Sequence, residues 1–193
     1  MFVGGCVRKL IRGEKIDDVD IATNINPINL KKIFKKNKIK FIETGISHGT
    51  ITALIKNYKF EITTLRKDIS TDGRHANVEF ISDWKNDAQR RDFTFNAIYS
   101  NLRGEIYDPQ NGFDDLRNNL IRFVGNPAER IKEDYLRILR YIRFFTQYSK
   151  HEHSKEIIKA IKVNLGDYNK VSKERSLEEL FKIVKLKNVD TLF

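Results

Sequence analysis

Asp18 and Asp20 flank a single valine in the stretch "DVDIAT". On an extended chain, side chains at i and i+2 leave the same face, so this spacing brings two carboxylates to one spot. Like charges held together are costly unless a cation lies between them. Hard oxygen donors suit Mg²⁺, and two such ions can clamp the attacking and leaving oxygens of a phosphoryl transfer. Just upstream, Gly4 and Gly5 allow a close approach of backbone to phosphate, and the planar fork of Arg8 can bind phosphate oxygens. Together these residue types fit a metal–nucleotide complex. A plainer reading stands beside it: D-x-D pairs are common on exposed strands and Gly-Gly pairs in turns.

The elements that must position these residues can be read from the flanking pattern. "MFVGG" reads as a strand ending in a glycine turn, "CVRKLIRG" as a short helix stopped by Gly13, and "DVDIAT" as a strand. Asn26 and Pro27 mark the start of a helix over "NPINLKKIFKKN". The run "KKIFKKNKIK" (31–40) is expected to be an amphipathic helix with a basic outer face, keeping Ile33, Phe34 and Ile39 apolar. "ITALIKNYKFEITTL" reads as a hairpin and "NVEFI" as a further strand, with 66–77 between them as a mobile polar loop. "YDPQNGFDDLRNN" reads as a turn-rich connector.

Helical periods dominate thereafter. Asn126, Pro127 and Glu129 form a helix-start signature. Ile131, Tyr135, Ile138, Ile142 and Phe145 then form one apolar stripe. Further helices are expected over "SKEIIKAIKVNL" and from Ser172 through "ERSLEELFKIVKL". The predicted organisation is an α+β domain over 1–124, a small mixed sheet with helices, followed by an all-α domain over 125–193.

The 193 residues carry a formal charge of +10, with 40% hydrophobic and 32% charged residues. This composition fits a soluble globular protein with a polyanionic partner such as nucleic acid or nucleotide. No apolar run approaches the ~18 residues of a membrane span, and charges from Arg8 onward oppose a secretory signal. Cys6 is the only cysteine, which excludes an intramolecular disulfide and reads as a small buried filler. The expected compartment is cytoplasmic. His48 and His75 lack a second His or Cys at ligand spacing and are expected to be structural or surface residues.

In order along the chain, "FVGGCVRKLIRGEKIDDVDIAT", "TGISHGTITAL", "FEITTLRKD" with "DGR", "RRDFTFNAI", "YDPQNGFDDL", "RIKEDYLRILRYIRF" and "KERSLEELFKI" resemble the motif series of the tRNA nucleotidyltransferase and bacterial poly(A) polymerase family, class II, of the polymerase β-like nucleotidyltransferase superfamily. The resemblance covers nearly the whole chain, as a catalytic head and helical neck. It implies template-independent addition of CMP or AMP to the 3′ end of tRNA from CTP and ATP, with two Mg²⁺ ions. Asp18 and Asp20 then become metal ligands, with Glu61 completing the carboxylate cluster. Glu61 can equally be read as an exposed strand glutamate, and "RRDFTFNA" as a capped helix with a solvated basic start. By the resemblance, Gly4, Gly5 and Arg8 face phosphates, and Arg90, Arg91, Asp92 and Asn96 the sugar and phosphates. Asp134 and Arg137 read the base edge, and Arg140 supports them, as does Arg130. Arg175 and Glu179 orient neighbouring groups. An exposed Asp134–Arg137 salt bridge is the alternative for that pair.

The sequence departs from the pattern in three ways. Lys9 stands where the family usually has Asp. The usual helix before "FVGG" is missing. The chain stops at "KNVDTLF", where the family continues into body and tail domains that hold tRNA. This leaves open a fragment, a split gene with the rest encoded separately, or a reduced paralogue. A basic "GRRF"-type signature of poly(A) polymerases is absent from "GISHGTITALIKNYKFEITTLR", which favours CCA addition or a C-adding or A-adding relative. A poly(A) polymerase and a non-enzymatic nucleotide- or RNA-binding remnant are the alternatives.

Overall fold

The computed structural model describes residues 1–72 and 75–186. The first strand, β1 (Phe2–Val3), runs into α1 (Gly5–Arg12), which Gly13 closes in the left-handed conformation. After β2 (Val19–Thr23) comes α2 (Pro27–Lys36), whose start is fixed by Asn26 accepting from Asn29 N at 2.9 Å. Three strands follow: β3 (Lys40–Gly45), β4 (Thr50–Ile55) and β5 (Tyr58–Thr64). Short strands β8 (Tyr99–Ser100) and β9 (Ile106–Tyr107) complete a seven-stranded sheet of order β3-β4-β5-β2-β1-β8-β9. The β2–β5 pairing is parallel and the others antiparallel, which makes the predicted mixed sheet.

The two faces of this sheet differ. Leu30 and Phe34 of α2 pack on Ile51 and Ala53, with Phe41, Phe60 and Ile62 half-buried around them. The opposite face carries one rung across four strands: Asp20 beside Glu61, Glu61 beside Thr52, Thr52 beside Ile42. Alternation thus sends the apolar residues to α2 and the carboxylates to the open side.

Beyond residue 124 every described element is helical: α5 (Pro127–Glu133), α6 (Arg137–Tyr148), α7 (Lys155–Asn164), a 3₁₀ segment and α8 (Lys173–Val184). The largest apolar cluster draws on both sides of that position. Phe93, Phe95 and Phe123 pack with Tyr141, Phe144 and Tyr148, rings meeting 4.6–6.3 Å apart.

Several expectations are corrected. The segment 66–77 is not a loop: β6 (Arg66–Asp72) and β7 (His75–Phe80) pair antiparallel as a separate two-stranded sheet. Its polarity misleads because the hairpin stands off the main core. Gly73 and Arg74 of "DGR" and the side chain of His75 lie outside the described residues.

The basic run 31–40 is helical only to Lys36. Asn37 turns back onto Ile33 O at 2.8 Å, Lys38 is left-handed, and Lys40 opens β3. The apolar stripe 131–145 spans two helices. Asp134 is extended, and its carboxylate accepts from Leu136 N at 3.2 Å, so it ends α5 and prepares α6.

No apolar helix follows "RRD". Thr94–Asn96 is a 3₁₀ turn, because Thr94 N and Val124 N bond across to Arg122 O and Asp92 O, tying the segment to an extended partner. The connector contains α4 (Gly112–Arg117), and a Cβ on Gly112 would lie 2.0 Å from Thr94 O. In the helix-start signature, Asn126 accepts from Ala128 N and Glu129 N.

Candidate active site

The site is centred on the Asp20–Glu61 rung. Parallel pairing of β2 with β5 sets these carboxylates side by side, and Asp18 precedes the strand by one residue. Burial first, then Glu61 and Asp18, push the Asp20 carboxyl above its ordinary range, against the pull of Arg91 and Arg8. Asp18 and Glu61 are exposed, Asp20 half-buried. Among the described residues no group of three or more His, Cys, Asp and Glu side chains forms a ready-made metal site. The donor chemistry nevertheless fits a hard cation, since a bound positive charge would relieve the strain on ionised Asp20.

Gly4 closes the site from the β1 side. Its φ of 71° is in the positive region, and a Cβ there would sit 3.6 Å from Arg91 Nη1 and 4.0 Å from Asp20 Oδ2. Gly5 opens α1. Arg8 is largely buried: its Nε donates to Tyr148 OH at 3.2 Å, its Nη1 to Asn96 Oδ1, and its guanidinium lies 4.8 Å from the centre of the Phe144 ring. Only its Nη2 turns toward the glycine pair, 3.9 Å from where a Gly5 Cβ would be. Lys9 points away and pairs with exposed Asp17 at 2.8 Å.

Arg90 and Arg91 are organised by a residue that the sequence reading missed. Asp87, on α3 (Trp84–Gln89) and 1% exposed, accepts from Arg90 Nε at 2.9 Å, Arg91 Nη2 at 3.1 Å, Tyr99 OH at 2.7 Å and Arg66 N at 3.1 Å. Burial opposes its ionisation, yet Arg90 and Arg91 hold the carboxyl below its usual range. The i,i+3 and i,i+4 spacing from Asp87 to the two arginines was the available signal.

Asp92 is the second hub. It accepts from Arg140 Nε at 2.7 Å, from Arg140 Nη2 and from Asn96 Nδ2 at 3.0 Å. Despite burial, Arg140 and Asn96 keep it far below the ordinary carboxylate range. Arg8, Asn96, Asp92 and Arg140 therefore form one hydrogen-bonded chain from α1 to α6.

Asp134 and Arg137 occupy the break between α5 and α6 but do not form a side-chain pair. Arg137 Nη1 donates to Glu133 Oε2 at 2.7 Å and Arg130 O at 2.6 Å, and its Nη2 reaches Arg90 O at 3.4 Å. Asp134 is bound by Arg175 of α8. Arg130 donates to Gln89 O and Glu133, and Glu179 accepts from Arg143 at 2.5 Å. A cleft of about 310 Å³ borders this corner, lined by Lys67, Asp68, Arg90, Arg130 and Glu133 among others. His48 lies in the 46–48 turn, its carbonyl held by Arg66.

Residues 1–122 match the family described as poly A polymerase head domain. The human mitochondrial CCA tRNA nucleotidyltransferase 1 is 46% identical over 95% of this chain and 43% of its own length. The CCA-adding enzyme of Lactobacillus helveticus is 41% identical over 94% of this chain and 45% of its own. Among solved structures, the Bacillus stearothermophilus CCA-adding enzyme in complex with CTP superposes with a TM-score of 0.82 at 36% identity, covering 94% of this chain and 43% of that one. A tRNA nucleotidyltransferase complexed with a primer tRNA and an incoming ATP analog gives 0.75 at 29%, covering 97% and 53%. The chain thus spans less than half the length of the curated relatives it matches. With the mixed sheet and these matches in place, the chain belongs to the poly A polymerase head domain family.

Proposed function

We propose that this chain carries the nucleotidyl-transfer site of a CCA-adding enzyme, which extends the 3′ end of tRNA with CMP and AMP from CTP and ATP. One observation supports this most: half-buried Asp20 and exposed Glu61 share a rung of the open sheet face, with Gly4 beside Asp20 and Arg91 near enough to pull its carboxyl down. The relatives and structural neighbours named as CCA-adding enzymes support the substrate class.

Asp18 and Asp20 would hold Mg²⁺, with Glu61 beside them. When bound, the metal supplies charge neutralisation at the oxygens of the transferred phosphoryl group. The remaining work falls to the protein's own side chains. The close backbone at Gly4 admits the phosphates. Arg91, fixed together with Arg90 by Asp87, presents positive charge beside Gly4 and Asp20. Asp92 and Asn96 hold the Arg8–Arg140 chain rigid beneath the nucleotide. Asp134 offers acceptors and Arg137 donors to a base edge, a pattern that separates C and A from U and G without a template. Positioning and charge compensation are what such a transfer asks of a protein.

The test is incorporation of labelled CMP and AMP onto a tRNA lacking its CCA end, with Mg²⁺. The expected result is incorporation by the unaltered chain and none by Asp18→Ala or Asp20→Asn. Robust incorporation by either variant would remove the assignment, and long homopolymeric A tails would favour poly(A) synthesis instead.

A further inference from the structure

Resting on that reading, we infer that the far corner of the open sheet face is a track for the RNA strand being extended, with Lys59 and Lys40 as its phosphate-binding side chains. Register places them. Lys59 pairs with Leu54 of β4, and Leu54 pairs with Lys40 of β3. This lysine rung lies two residues from the Asp20–Glu61–Thr52–Ile42 rung, about 7 Å along the strands, and on the same face. Burial agrees with the assignment: Phe41 and Phe60 turn toward α2, whereas Lys40, Lys59 and Glu61 are exposed.

The charge at this corner has no internal counterpart. Among the described residues Lys38, Lys40, Lys56 and Lys59 form no ion pair. Glu43, the single acidic residue on β3, pairs with Lys31 of α2 at 2.6 Å. Lys38 and Lys56 end the track at turn tips with φ of 55° and 54°. Lys56 holds the first central position of the two-residue β4–β5 hairpin turn, where glycine is the usual resident. Lysine therefore stands at two left-handed positions that favour glycine or asparagine on conformational grounds.

Geometry decides what occupies the corner. Gly4 and Arg91 lie on the β1 side of Asp20, and the lysine rung lies on the β5–β4–β3 side. An in-line displacement needs the nucleotide and the attacking 3′ hydroxyl to approach from opposite sides. With the nucleotide on the β1 side, the RNA strand ends at the carboxylate rung, and its preceding phosphates cross the lysine rung.

The test uses the full chain and a 5′-fluorescein RNA hairpin with a single-stranded 3′ CC overhang. Its affinity is read by anisotropy between about 50 and 200 mM salt. Two lost phosphate contacts should make the log Kd against log salt slope of Lys40→Gln/Lys59→Gln shallower by about 1.4, at ~0.7 per single-strand contact. CTP affinity should stay unchanged, and Lys40→Arg/Lys59→Arg should restore the slope. Lys155→Gln/Lys159→Gln, two exposed lysines on the outer side of α7, should keep the unaltered slope. An unchanged slope in the Lys40/Lys59 double variant, an equal loss in the α7 variant, or no binding of this RNA by the unaltered chain would overturn the track. Failure of the transferase reading would appear separately, as absent CMP incorporation by a chain that still binds RNA.

Discussion

Arg175 grips Asp134 through both terminal guanidinium nitrogens, Nη1 at 3.2 Å and Nη2 at 2.7 Å, across 41 positions of sequence. Planar, two-point pairing of this kind fixes orientation as well as charge. One half of the proposed base-reading pair is therefore aimed by α8, and the other half by Glu133.

From that grip, Arg175→Ala should impair the choice of base more than the rate of transfer. Freed Asp134 can swing, so preference for CTP and ATP over UTP and GTP should fall, yet by less than in Arg137→Ala. Loss of Arg137 itself is bounded by roughly 1–3 kcal/mol, the scale of one bidentate base contact. Four-nucleotide competition on a tRNA minihelix checks both. An unchanged preference in Arg137→Ala would mean that its bonds to Glu133 and Arg90 are structural only.

Asp87→Asn should be a folding lesion. It leaves Arg90 and Arg91 half-buried without their shared counter-charge, and breaking a buried pair from one side costs roughly 3–5 kcal/mol. Urea unfolding should show the loss. A change below about 1 kcal/mol would indicate that water replaces the carboxylate.

Asp20→Asn should do the reverse to stability. The folded environment raises this carboxyl, so its contribution is fully present below the unfolded carboxylate value of about 4 and is lost as pH rises through the higher folded value. At neutral pH without metal, the amide should match or exceed the unaltered chain in thermal stability while incorporation disappears. A clear drop in Tm would contradict the repulsion argument.

Asp92, Asp87 and Glu179 have the opposite sign. Their carboxyls are held low by arginines, so their stabilisation is present above pH ~4 and lost as pH falls through the folded values. Acid titration by circular dichroism should show cooperative unfolding below pH ~4. In Asp92→Asn that acid transition should be weaker, starting from lower stability at neutral pH.

Gly4→Ala should cost roughly 1–3 kcal/mol for its positive φ and also displace Arg91 from Asp20. Incorporation should fall even at a temperature where the variant is fully folded. Near-normal activity there would show that the turn tolerates a methyl group.

Local chemistry made much of this legible. Asn26-Pro27 and Ser172 announce helix starts, and "DVDIAT" announces β2, although Asp18 falls one residue before the strand. What escaped depends on distant partners. The β6 strand of the β6–β7 hairpin, "RKDISTD", is almost wholly polar because the hairpin forms a separate two-stranded sheet. The break at Asp134 hides inside an unbroken apolar stripe, since Ile131 and Ile138 bury in one cluster from two helices. Asp87 looks like an ordinary polar helix residue until Arg66, Arg90, Arg91 and Tyr99 converge on it. Arg8 has the chemistry of a phosphate ligand, but its Nη1 and Nε are engaged by Asn96 and Tyr148, 88 and 140 positions away.

The placement of β1 has a consequence for the order of assembly. Phe2 and Val3 sit in mid-sheet, between β2 and β8, and their β8 partners are Ser100 and Tyr99. A ribosome must therefore release nearly a hundred further residues before this strand can gain its second neighbour. Until then a short apolar segment waits with one edge unpaired, the kind of long-range closure that slows folding and exposes a nascent chain to wrong contacts. The glycine turn of the candidate site directly follows that strand, so the turn gains its β8-side support only after the Asp20–Glu61 rung can already pair.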